Sequence, residues 1–187
     1  MNLTNSEKLI LIMLSEIYEK LGIDSQRGID PSFVKEAIYS DNTWGFEWKY
    51  SGIFNTSDPA PPEVNDVINI MDMWMFIEEA VESFNDEQKN KLEQLASPFG
   101  RSPQFIGFDG NNESEHMSVA MFLVNQLDRF QEFKGRSFNC HHPSLDAHRR
   151  MLAVFEPLRT SLADSSLSVD QLARILNERV HPSRREA

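Results

Sequence analysis

The chain has 187 residues, 40% of them hydrophobic, and a formal net charge of −11. That much apolar material fills one real core and excludes a disordered chain, while the acidic balance argues against the long-range pull toward phosphate that nonspecific nucleic-acid binders use. A single cysteine, Cys140, excludes an internal disulfide framework, and no run approaches the roughly 18 uncharged apolar residues of a membrane span.

A single domain over residues 1–187 is expected, in a reducing cytoplasm, with one candidate sub-boundary at the Pro-rich stretch 56–62. Charge is unevenly placed: residues 1–133 carry 9 Lys plus Arg against 23 Asp plus Glu, net −14, and residues 134–187 carry 9 against 6, net +3. The two parts should attract, within one chain or between two copies.

Thr4 with Glu7 forms a capping box, and Gly22 can close the first helix in a left-handed conformation. Its apolar set, Leu9, Ile10, Met13, Leu14, Ile17, Tyr18 and Leu21, has the spacing of one helix face. Asp30 and Pro31 open a short second helix. The stretch Trp44–Tyr50 then alternates Trp44, Phe46, Trp48 and Tyr50 with Gly45, Glu47 and Lys49, and period two predicts a short extended aromatic segment. Residues 58–62 end it with three prolines.

From Glu63 a long helix places Val67, Ile70, Met71, Trp74, Ile77, Val81 and Phe84 on one stripe, with Asp66, Asp72, Glu78, Glu79 and Glu82 on an acidic face. Asn85 with Gln88 caps another helix running to about Ala96. Asn112 with Glu115 is a third capping box, predicting a helix on which Met117, Ala120, Met121, Val124, Leu127 and Phe130 face the core until Gly135. Pro143 can occupy the first position of a helix through Leu158, making His142 its cap residue, and Pro157 should shorten or kink the end. Ser168 with Gln171, flanked by Leu167 and Leu172, opens the last helix. The fold class is therefore mostly α: a multihelical single domain with about five to seven helices and one short aromatic extended segment.

The strings "LTNSEKLIL", "VINIMDMW", "FIGFDGNNESEHMSVAMFLVN" and "FNCHHPSLDAHRRMLAVFEPL", in that order and spacing, make the chain resemble the YfbU family over nearly its whole length. The resemblance implies a cytoplasmic, multihelical bacterial protein and carries no activity, cofactor or catalytic residue with it. "DNTWGFEWKYSGIFNTSDPAPP" and "NCHHPSLDAHRR" depart from the family pattern.

Chemistry-bearing residues concentrate in Ser137–Met151. Cys140, His141, His142 and His148 are zinc-type ligands, but adjacent His141 and His142 rarely converge on one ion and no second Cys pair supports them. A nucleophilic Cys140 would take His148 as its base and still need an orienting group. Glu113 and His116, at i and i+3, form half of a helical di-iron motif, against the plainer account of an acidic first turn. Arg149 and Arg150, with Arg136 and Arg159, could bind an anion or a partner, and the plainer account pairs them with the acidic body. Trp44 and Trp48 suit core or a protein interface. A winged helix-turn-helix reading fails on charge, since Lys35 is the one basic residue in the second helix. With no complete catalytic set, no cofactor and no membrane are expected, and nucleic acid is a poor fit. The reading is a self-associating interaction or regulatory protein with an unidentified protein partner. The competing one is a metal-assisted hydrolase built on residues 140–148, and a DNA-bound regulator comes third.

Overall fold

The computed structural model describes residues 3–23, 28–54, 59–162, 166–181 and 183. Residues 56–58 of the proposed sub-boundary lie outside them. Within the described residues the chain forms eight α-helices and two short 3-10 turns: α1 (Asn5–Lys20), α2 (Pro31–Tyr39), α3 (Gly45–Lys49), α4 (Pro62–Ser83), α5 (Asp86–Leu95), α6 (Ser114–Asn125), α7 (Leu145–Arg159) and α8 (Val169–Asn177). The capping boxes of Thr4, Asn85 and Ser168 all form, and Asp30 Oδ1 accepts from the Phe33 amide. Gly22 closes α1 at φ 63°.

α4 is the axis of the molecule. Val64, Val67, Ile70, Met71, Met73, Trp74, Ile77 and Ala80 are buried along it, and α6 and α7 pack against it. α8 packs on both α5 and α7, while α1 rests on α2 at the other end. No described helix is long and apolar enough to cross a membrane.

Three expectations are corrected. The aromatic run is the short helix α3, not an extended segment. Alternate aromatics also satisfy the i, i+4 spacing of a helix: Trp44 meets Trp48 edge-on at 5.0 Å, and both Phe46 and Tyr50 meet Phe33. α6 ends at Asn125, well before Gly135, because Asp128 and Phe130 adopt left-handed φ of 51° and the Gln131 amide takes the Val124 carbonyl. The Asn112–Glu115 box does not form; Asn112 turns back to the Asp109 carboxylate instead.

The largest surprise lies in α1. Its inward side is Leu11, Ile12, Ser15 and Tyr18, with Ser15 bonded to the Leu11 carbonyl, Lys8 to Asp41 and Glu19 to Lys35. The apolar set faces away from the body: Leu9, Ile10, Met13, Leu14, Ile17 and Leu21 are 52–68% exposed. Apolar residues therefore lie on both sides of the helix, and the larger set is on the outer one.

Candidate functional site

Two places could carry function, and they are built from opposite kinds of residue. The first is where the residues of "FIGFDGNNESEH" meet those of "FNCHHPSLDAHRR". Phe108 pairs with Asn139 in a single parallel bridge, its amide donating to the Phe138 carbonyl and its carbonyl accepting from Cys140. The chains approach closely there. A Cβ on Gly107, whose φ is 85°, would stand 2.1 Å from the Phe138 oxygen, so no other residue fits.

Glu113 sits under that bridge, 8% exposed, and its carboxylate accepts from the Asp109, Ser144 and Leu145 amides and the Ser144 hydroxyl at 2.8–2.9 Å. Burial works to raise its pKa, but this ring of donors holds it below the usual carboxylate value. The donors at Ser144 and Leu145 are the free amides of the α7 N-terminus, so the helix is capped by a glutamate from the preceding helix's start. His142 is not the cap, and Pro143 precedes the helix instead of opening it.

His148 is 3% exposed beside this carboxylate. The Trp74 indole N–H, which can only donate, points at His148 Nδ1 at 3.1 Å, so the ring proton sits on Nε2 and donates to the Gly107 carbonyl at 3.1 Å. Burial lowers its pKa from 6.5 to about 4, and the imidazole is neutral. Both nitrogens are occupied, and no lone pair remains for a metal or for a cysteine's proton. The cluster ties α4, α6 and α7 together.

The remaining sequence-selected residues are dispersed. Cys140 Sγ bonds the His142 carbonyl, His141 is exposed at left-handed φ 58°, and His142 returns its Nδ1 to the Cys140 carbonyl. His116 packs against the Phe108 ring at 5.7 Å and lies 3.6 Å from Asp66. Among the described residues no group of three His, Cys, Asp or Glu side chains is placed to hold a metal ion. The arginines each find a carboxylate: Arg136 grips Glu78 with two bonds of 2.7 and 2.8 Å, Arg149 reaches Asp66, Arg159 lies 2.8 Å from Asp72, and Arg150 takes Asp146 and the Glu178 carbonyl. Arg136, Arg149 and Arg159 of the basic C-terminal part thus pair with the acidic face of α4 within the chain. Trp44 is core, 6% exposed, with its N–H on Asn42, and Trp48 lies at the surface under Arg129. Lys35, paired with Glu19, is not free to meet DNA.

The second place is the outward face of α1 and what adjoins it. At 3.6 residues per turn its six exposed side chains cover roughly 140° of the helix. Next to Ile10 an apolar groove of about 410 Å³ opens, lined among others by Ile29, Phe46, Tyr50, Ile53 and Phe54. Ile53 is 63% exposed and Ile29 39%. Sequence periodicity found the stripe but not its direction. The available signal was the run Leu9–Leu14, six apolar residues in succession, which wraps further round a helix than one contact requires.

The model of the YfbU domain matches residues 1–178. Among curated relatives, the UPF0304 protein MJECS11 of Methanocaldococcus jannaschii is 29% identical over 113 residues, an alignment covering 58% of this chain and 64% of that protein. The chain thus spans just under two thirds of that relative's length.

Proposed function

The chain belongs to the YfbU family, and we propose that this member is a cytoplasmic interaction protein that self-associates through the outward face of α1. One observation carries the reading: Leu9, Ile10, Met13, Leu14, Ile17 and Leu21 are more than half exposed on one side of α1, while Leu11, Ile12, Ser15 and Tyr18 already make its contact with the body. An exposed apolar face of that width on one helix favours a covering partner, and a second copy supplies one. Three arginines of the basic C-terminal part, Arg136, Arg149 and Arg159, pair with α4 of the same chain, so the reading rests on the apolar face and not on that charge. The metal-assisted hydrolase reading is weakened at His148, its helical ligand candidate, because both ring nitrogens are engaged.

Light scattering across a concentration series tests the reading. A particle of twice the chain's mass at tens of micromolar is expected; a strict monomer at that concentration overturns it.

A further inference from the structure

Granting self-association through α1, we infer that the partner's α1 also seats in the apolar groove beside Ile10, so that each copy gives a stripe and takes one in a reciprocal two-fold interface.

Three observations lead there. The exposed stripe spans roughly 140° of the helix, whereas two helices meeting along a single seam use a narrower a/d strip. Whatever covers α1 is wider than one helix. Secondly, the groove is continuous with the stripe: Ile10 belongs to both, and Leu3 and Leu11 of the same N-terminal region line it with Val34 of α2, Phe46 of α3 and Ile53. Among the described residues that line it Glu7 alone is charged, and that carboxylate already holds the Thr4 amide and hydroxyl at 2.8 Å. The groove accepts an apolar occupant and offers nothing to a charged one.

The third argument is area. Six side chains left half-exposed amount to on the order of 600 Å² of apolar surface, taking roughly 100 Å² for each. That falls short of the ~800 Å² per partner of a standard stable interface, and the groove wall with Ile29, Tyr50, Ile53 and Phe54 supplies the remainder. A two-fold arrangement uses each surface once on each copy and closes, leaving no apolar edge to propagate.

The test uses two variants of the full chain at positions exposed enough to keep the fold. Leu14→Glu/Ile17→Glu changes side chains 56% and 52% exposed, and Ile53→Lys changes one 63% exposed. Circular dichroism and melting confirm folding of each. Sedimentation should show each variant alone dissociating at least tenfold more readily than wild type. Mixed, they should form a heterodimer tighter than either homodimer, because one half-interface pairs an intact stripe with an intact groove. If Ile53→Lys dimerises as wild type does, or the mixture yields no heterodimer, the groove is not the seat and self-association through α1 stands. If wild type itself is monomeric, the self-association reading falls and this inference with it.

Discussion

The Glu113–His148 cluster and the outer face of α1 invert each other. In the cluster, residue types associated with catalysis lie beside the Phe108–Asn139 bridge, and the Glu113 carboxylate and both His148 ring nitrogens have partners from the same chain. On α1, residue types associated with a core stand more than half exposed among the described residues. Satisfaction, more than residue type, separates the two. A buried polar group with all its bonds made is a fastener, and a large apolar face with none of its contacts made is an unfinished interface.

The largest effect on folding is expected from removing the carboxylate. Glu113→Ala strands three amides in a buried space, while the Ser144 hydroxyl keeps the Gly107 carbonyl at 3.0 Å as an acceptor, and a loss of roughly 3–5 kcal/mol in folding stability is expected from denaturant titration. A loss below about 1 kcal/mol would mean that water replaces the carboxylate readily and that the cluster does not fasten α7. Next in size is acid. The folded His148 pKa of about 4 lies below its ordinary 6.5, so between those values the unfolded chain binds the extra proton. Stability is therefore full above pH 6.5 and falls as pH drops toward 4, by about 3 kcal/mol at 1.36 kcal/mol per unit. Glu113, also depressed, adds to the loss below the ordinary carboxylate value of 4.5. His148→Gln should flatten the slope between pH 6.5 and 4, and a slope unchanged in that variant assigns it to other groups.

On α1 the expected effects on folding are small and those on association large. Leu14→Glu/Ile17→Glu should shift the unfolding free energy of the isolated chain by within about 0.5 kcal/mol per position, as exposed sites do. A collapse of the fold would instead show that the face packs on the body. Salt sharpens the contrast further. With Arg136, Arg149 and Arg159 paired inside the chain, raising ionic strength should leave association unchanged or strengthen it. Dissociation by salt would point to charges between copies.

The sequence made the local signals of this fold legible, because they depend on a few neighbouring residues. Thr4, Asp30, Asn85 and Ser168 cap helices where their side chains and spacing say they should. The long stripe of α4 was also legible, since 22 residues give periodicity room to show. Seven residues around Trp48 do not, and period two coincided with i, i+4 pairing there. The cap of α7 was hidden for a different reason: Glu113 lies 31 positions before Ser144, and no local pattern announces a partner at that distance. His148 was legible as a helix residue on the core side, but its role depends on Trp74, which is 74 positions away. Direction was the least legible property. Periodicity gives the width of an apolar face on α1, and whether that face meets the body or a second copy is decided by the shape of α2 and α3.

The smallest expected effect belongs to the chain's lone cysteine. Cys140 is half-buried beside the bridge, where its backbone amide bonds the Phe108 carbonyl and its sulfur donates to the His142 carbonyl. A serine hydroxyl can donate in the same direction, and the backbone bond is indifferent to the side chain. Cys140→Ser should therefore change stability by about 0.5 kcal/mol or less, with association unaltered. His148 cannot serve as a base for it, since its Nε2 proton is committed to Gly107 and its Nδ1 to Trp74. Alkylation of the thiol gives a sharper contrast than the substitution. A bulky adduct presses on the segment that Phe138 anchors and should lower the melting temperature more than serine does, while the α1 face, at the other end of the molecule's helix order, keeps its association constant. If alkylation instead abolished self-association and serine did so too, the two regions would share one interface and the contrast between them would not hold.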